Sequence, residues 1–194
     1  SGRIGILKSK QGRDPAGTEG NMKTLYLIGG PMGVGKTTVC QILKRQLPDC
    51  VFLDGDWCWD ADPFRVTEET KAMVLRNICA VLNNFLACSA YRNVVFCWVL
   101  HEQAILDEIL AHLETNGVRV LCVSLLCPAQ ELVRRLQGDI DAGLRTEDVI
   151  DRSLARLPLY EALHTVKIDT AGKDAAKTAA EIMRIAAEQE DEHG

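Results

Sequence analysis

The apolar positions of this chain come in two alternating kinds of run. Short blocks with almost no polar face, Lys23–Ile28, Asn93–Leu100 and Val118–Cys127, read as strands covered on both sides, and the shorter Cys50–Asp54 and Val166–Asp169 complete the set. Between them apolar residues recur at helical spacing. Val39, Ile42, Leu43 and Leu47 share one face, whereas Met73, Val74, Ile78, Val81, Leu82, Phe85 and Leu86 form a broad apolar surface with a polar stripe of Glu69, Arg76 and Asn83. That longer helix is expected over Thr67 to about Cys88, with Thr67 as its cap and Glu68 and Glu69 suited to the positive first turn. Further helices are expected over about Glu102–Thr115, Ala129–Gln137, Thr146–Leu163 and Asp174–Glu190, with a glycine-bounded segment from Gly138 to Gly143. Such alternation predicts an α/β fold, a parallel sheet with helices on both faces, in which ligands gather at the carboxyl ends of the strands.

Size and charge narrow the picture. A chain of 194 residues fits one domain with an ordinary core, expected here over residues 22–194. Residues 1–21, rich in Gly, Lys, Arg and polar groups, read as a flexible leader or artificial remnant, with Met22 a plausible natural start. A net charge of −5 supplies no general basic surface, so nucleic acid is not expected as a partner. No apolar run reaches the roughly 18 residues of a membrane helix, so no membrane partner is expected either. The eight cysteines show no paired C-x-x-C spacing, which argues for a reducing cytoplasm and against a zinc site at Cys122 and Cys127. The expected assembly is a monomer or homodimer.

The most specific chemistry lies in Gly30-Pro31-Met32-Gly33-Val34-Gly35-Lys36-Thr37, followed by Thr38, which spells G-x-x-x-x-G-K-[ST] between a predicted strand and a predicted helix. Glycines let main-chain N–H groups close around an anion, and the helix that starts there adds the positive end of its dipole. Lys36 is placed to reach the β- and γ-phosphates of ATP, and the Thr37 hydroxyl to hold Mg²⁺.

Phe52-Leu53-Asp54-Gly55-Asp56 places two carboxylates at the mouth of the second strand, two residues apart and so on one side if the backbone stays extended. Asp54 is the expected partner of Mg²⁺, and Asp56 the group that orients or deprotonates a hydroxyl. Just beyond, Trp57, Trp59 and Phe64 form either an aromatic wall for a flat or apolar acceptor or packing beneath the loop. His101, at the end of the third strand, either contacts the acceptor or serves as a surface or packing residue.

These motifs resemble those of the small-molecule P-loop kinases. Gluconate kinases and adenylylsulfate kinases carry a similar L-D-G-D or D-G-D, shikimate kinases carry D-x-D, and Arg156-Leu157-Pro158-Leu159-Tyr160 with Ile168-Asp169-Thr170 looks like the R-x-P-x-Y and I-D-T ending of shikimate kinases. In layout the likeness covers most of Lys23 to Thr170. It implies a P-loop NTPase three-layer α/β/α sandwich with a five-stranded parallel sheet and a mobile lid at about 138–146, with Arg156 facing the acceptor and Ala171-Gly172 bordering adenine. Trp98-Val99-Leu100-His101 stands where shikimate kinases have a glycine triplet, which disfavours shikimate as the acceptor.

Arg135, Arg145 and Arg152, around the glycine-bounded segment, are the expected lid arginines, since guanidinium groups neutralise the charge that spreads over a moving phosphoryl group. The expected activity is an ATP-dependent transfer of the γ-phosphoryl group to a small molecule: a nucleoside or nucleotide, a sugar acid or an antibiotic. The competing class is a regulator that binds nucleotide without catalysis, kept open because the aspartate that closes a Walker B strand in many NTPases is missing.

Overall fold

The computed structural model describes residues 22–191; the expected leader, residues 1–21, lies outside them. Five parallel strands, β1 (Lys23–Gly29), β2 (Cys50–Asp54), β3 (Asn93–Cys97), β4 (Val118–Leu126) and β5 (Val166–Asp169), lie in the order β2-β3-β1-β4-β5. Helices α1 (Lys36–Gln46), α2 (Glu68–Ala87), α3 (Gln103–His112), α4 (Ala129–Asp141), α5 (Asp148–Glu161) and α6 (Ala175–Asp191) connect and follow them. This is the three-layer sandwich expected from the alternation of apolar runs.

The two faces of the sheet are written in its period of two. Leu25 and Leu27 of β1, with Val94 and Phe96 of β3, pack beneath Val74, Ile78 and Leu82 of α2 and Leu106 and Ile109 of α3. Tyr26 and Ile28, with Val95 and Cys97, face Val39, Cys40 and Leu43 of α1, Leu132 and Leu136 of α4, and Ile182 of α6. Because β1 lies between β3 and β4, the crossovers run to opposite sides of it. Its carboxyl end therefore opens into the crevice where such sheets bind ligands.

Several boundaries differ from the sequence reading, and three of them lie near the carboxyl end of the sheet or the turn between α4 and α5. The β3 ladder stops at Cys97 instead of reaching Leu100: Trp98 N–H still donates to Ile28 O (3.2 Å) and Gly30 N–H to Val99 O (3.3 Å), but the chain turns at Leu100, with φ 40°. Helix α4 runs through Gly138 to Asp141, held by Leu136 in the core and by Gln137 donating to Asp141 at 2.8 Å. It ends at Gly143 (φ 72°), where Gly143 N–H donates to Ile140 O at 2.8 Å and Leu144 N–H to Asp139 O at 2.9 Å. That paired closure is a Schellman motif, and it confines the break expected over 138–146 to the short turn between α4 and α5. Helix α5 begins at Asp148 rather than Thr146.

The start of α2 agrees with its expected cap. Thr67 Oγ1 accepts from Thr70 N–H at 3.2 Å, and Thr70 Oγ1 accepts from Thr67 N–H at 2.8 Å, a reciprocal capping box. Replacing Thr67 with Ala should lower unfolding stability by ~1 kcal/mol, and Thr67→Ser should retain most of it, both measured by urea denaturation.

Candidate active site

At the end of β1 the backbone makes a turn that only glycine permits. Gly30 has φ 149°, and a Cβ there would lie 2.5 Å from the Leu125 carbonyl oxygen of the neighbouring strand. The chain then wraps through Gly33 and Gly35, both at positive φ, into α1. Lys36 folds back inside this loop, its Nζ donating to Gly30 O at 2.7 Å and Pro31 O at 2.9 Å. Burial pushes its ammonium below the ordinary lysine value, while neighbours including Asp56 and Asp54 pull the other way. Enclosed by backbone dipoles, with no carboxylate in direct contact among the described residues, the cation is left with a close counter-charge for a bound anion to supply.

Thr37 follows on the first turn of α1, and its Oγ1 donates to Asp54 Oδ2 at 2.9 Å. Asp54 is buried at the end of β2. The pair presents hard oxygen donors that suit Mg²⁺, an ion that takes few protein ligands and fills its shell with waters and phosphate oxygens. Among the described residues no group of three His, Cys, Asp or Glu could hold a metal alone.

Asp56 does not lie in extended backbone. The chain enters a short 3₁₀ turn, Gly55–Cys58, in which Asp54 Oδ1 accepts from Asp56 N–H at 3.1 Å, so Asp56 has left the strand that carries Asp54. Asp56 is exposed, and its Oδ1 accepts from the indole Nε1–H of Trp98 at 3.2 Å. Sequence reasoning placed Trp98 in a strand and in the segment that replaces the glycine triplet of shikimate kinases, with no link to Asp56. Its pairing with Asp56 depends on β2 and β3 being neighbours, which no local pattern reveals.

Beside Trp98 lies a cleft of about 520 Å³ between α2, α3 and the end of β3. It gathers Trp59, His101 and Arg156 of the expected acceptor site, and adds Trp98, Leu75 and Ile105. Trp59 stacks on Phe64 at a centroid distance of 4.3 Å. Trp57 lies apart, mostly exposed, with its ring edge on Phe52 at 5.3 Å. Burial, reinforced by the Arg156 charge, lowers the His101 pKa and leaves the imidazole neutral at pH 7. His101 Nε2 meets Glu102 at 3.1 Å, while Nδ1 is buried with no hydrogen-bond partner among the described residues. Tyr160 OH donates to Val99 O at 2.6 Å and ties α5 to this wall.

The other expected residues lie around the phosphate loop. Arg135 rests against the loop itself, donating to Val34 O at 3.2 Å and Thr170 Oγ1 at 3.3 Å, and Glu131 fixes it at 2.8 Å. Hydrogen bonds from Arg134 and Arg135 pull the Glu131 carboxyl down to about 2. Val34, Gly35, Thr38, Arg135 and Thr170 line a hollow of about 200 Å³; Ala171 and Gly172 form the turn at its edge, where Ala171 N–H donates to Asp169 Oδ1 at 2.8 Å. Arg145 and Arg152 face Met32 across a second hollow of about 340 Å³, paired with Asp139 at 3.0 Å and Asp148 at 2.9 Å. The cysteines within the described residues are free thiols, and burial raises Cys50 to about 12 and Cys122 to about 11, values that leave them protonated at neutral pH.

The AAA domain family matches residues 27–151, from inside β1 to the start of α5. The chain belongs to that family. No curated protein matches it. Among solved structures, the tunicamycin resistance protein of Deinococcus radiodurans aligns with a TM-score of 0.67 at 20% identity, over 84% of this chain and 95% of that one. A gluconokinase from Sinorhizobium meliloti 1021 gives 0.62 at 17%, over 89% and 99%, and shikimate kinase from Acinetobacter baumannii gives 0.56 at 25%, over 87% and 94%. The AAA domain of this chain thus has the P-loop kinase fold, as the resemblance of its motifs implied.

The close approach at Gly30 is directly testable. A Gly30→Ala substitution adds a side chain at a φ closed to it, against immovable backbone. It should destabilise the protein by at least ~1–3 kcal/mol in urea denaturation, where Gly117→Ala, at positive φ but in open space, should cost no more than ~1–2 kcal/mol.

Proposed function

We propose that this protein is an ATP-dependent kinase that transfers the γ-phosphoryl group to a hydroxyl of a small molecule. The observation that carries this reading is the convergence, at one end of the sheet, of an enclosed Lys36, the Thr37–Asp54 pair and an acceptor-sized cleft lined by Trp98, whose indole bonds Asp56. The amides of Gly33 to Thr38 and Lys36 hold the triphosphate, and the hollow beside Thr38, Arg135 and the Ala171-Gly172 turn takes the adenine side. Thr37 and Asp54 would hold Mg²⁺, which supplies charge neutralisation to the phosphates. The acceptor hydroxyl attacks the γ-phosphorus, the bond to the bridging oxygen of ADP breaks, and the hydroxyl proton passes to the Asp56 carboxylate. The turn between α4 and α5 acts as the lid that brings Arg145 and Arg152 toward the transferred group. Arg156 and His101 orient the acceptor in the cleft.

The free-thiol cysteines fit a reducing, cytoplasmic setting. The likeness to a tunicamycin resistance protein favours an antibiotic hydroxyl as a second reading of the acceptor.

Two substitutions separate binding from chemistry. Lys36→Met removes a desolvated cation. Its folded-state pKa is depressed, so the charge opposes folding at any pH where the unfolded lysine is protonated. The ligand-free variant should therefore melt within about 4 °C of the parent, the change expected for ~1 kcal/mol in a chain of this size. MgATP at a hundred times its Kd should raise the parent Tm by about 5–10 °C and leave Lys36→Met unmoved.

Asp56→Asn should keep that ATP-dependent rise while γ-phosphate incorporation into acceptors from a metabolite extract falls at least ~100-fold. Incorporation at the parental rate would remove Asp56 from the chemistry. A parent that binds ATP but phosphorylates nothing in the extract would leave the regulator.

A further inference from the structure

The indole of Trp98 has two neighbours that together assign it a task. Its Nε1–H donates to Asp56 Oδ1 at 3.2 Å. Its ring root lies so close to Gly55 that a Cβ there would meet Cγ at 2.6 Å and Cδ1 at 2.7 Å. Glycine at position 55 is thus the space that lets an indole lie across the β2–β3 boundary, and the indole in turn fixes one oxygen of an otherwise exposed carboxylate. Asp56 Oδ2 has no protein partner among the described residues, and Trp98 also lines the cleft.

We infer that Trp98 is a positioning residue for Asp56 and the wall of the acceptor site, so that the acceptor is a hydroxyl compound with a planar ring. This rests on the kinase reading of the same cleft. A hydroxyl at Asp56 Oδ2 places the body of its molecule alongside the indole, with Trp59, Leu75 and Ile105 also bordering the space. Charged groups border the same space, Lys71 paired with Glu68 at 2.9 Å and Arg156 and Glu108 with no ion-pair partner among the described residues, so the apolar wall is the part built by Trp59, Trp98, Leu75 and Ile105. An open-chain polyol would leave several hydroxyls facing indole and aliphatic surface, each unpaired one costing ~1–3 kcal/mol. A planar ring burying ~100 Å² there gains ~2.5 kcal/mol instead. The signs are opposite, and the difference favours a ring. A nucleoside and a simple aromatic alcohol share that chemistry, and binding distinguishes them.

The test is ¹H–¹⁵N spectroscopy of the indole groups in the full chain, which has three tryptophans. Trp98→Phe assigns the Trp98 Nε1–H signal by its loss; should that variant fold poorly, Trp57→Phe and Trp59→Phe assign it by elimination. In Asp56→Asn, an exposed substitution, the Trp98 signal should move by more than its linewidth while the other two stay in place. A Trp98 signal that ignores Asp56→Asn overturns the positioning role, whatever the protein does with ATP.

Titrating the MgADP-bound protein with uridine, 2-phenylethanol and gluconate then tests the acceptor class. Uridine or 2-phenylethanol should perturb the Trp98 and Trp59 signals, and whichever does so at lower concentration identifies the polar or the apolar ring. Gluconate should perturb neither. Perturbation by gluconate alone, or by none of the three, overturns the planar-ring assignment. A parent that shows no MgATP-dependent rise in Tm overturns instead the kinase reading beneath it.

Discussion

The arrangement depends on one close approach, that of the backbone at Gly30 to the Leu125 carbonyl of β4. It lets the chain leave β1 in a tight curve, so that the next residues wrap a cavity instead of continuing as strand. Lys36 occupies that cavity with its ammonium bonded, among the described residues, to the carbonyls of Gly30 and Pro31. Backbone carbonyls satisfy its hydrogen bonds but supply no full negative charge, and burial has already lowered its pKa. A loop of this kind is therefore incomplete as an electrostatic object. A multiply charged anion resolves the deficit by adding charge where amides and the start of α1 already point.

Sheet order converts that loop into a two-sided site. β3 pairs with β2 through Asp54↔Cys97 and with β1 through Ile28↔Cys97, so the first residue beyond β3, Trp98, falls between the acidic turn and the phosphate loop. Its amide bonds Ile28 O and its indole bonds Asp56, which links the two halves through one side chain. On the far side, β4 and β5 deliver Thr170 and Arg135 to the outer rim of the loop. The two sides differ in make-up: Arg135, Arg145 and Arg152 lie around the phosphate loop, whereas the cleft sets Trp59, Trp98, Leu75 and Ile105 beside Arg156 and His101.

Much of this was legible in the chain. The phosphate loop is a contiguous motif with short-range geometry, and the strands announced themselves as apolar runs with no polar face, so elements, layers and loop were read nearly in register. What was missed is tertiary. Nothing near Trp98 in sequence shows that Gly55 will lie beneath it, and the period-two reading of Asp54 and Asp56 failed because the chain enters a 3₁₀ turn at Gly55. Gly138 misled for another reason. A glycine in a helix costs only about 1 kcal/mol, less than the packing of Leu136 on one side of it, so the helix continued until Gly143, where a positive φ was required. The aromatic group after the acidic pair, read either as a wall for the acceptor or as packing beneath the loop, divided because each ring found a different partner: Trp57 on Phe52, Trp59 on Phe64.

The arginines show how magnitude sorts residues of one type into different duties. Arg152 with Asp148, and Arg145 with Asp139, are ion pairs open to water, with arginine side chains 55% and 31% exposed. Exposed pairs are worth at most ~1 kcal/mol, so either guanidinium can exchange its carboxylate for a phosphate at small cost. Arg135 is different: less exposed, it holds a carboxylate, a loop carbonyl and Thr170 at once, and moving it would leave Val34 O and Thr170 without their partner. Its geometry suits a fixed strut that keeps the loop's outer wall in place before any ligand arrives. Arg145 and Arg152, beside a short turn and opposite Met32, are each held by a single partly exposed carboxylate among the described residues.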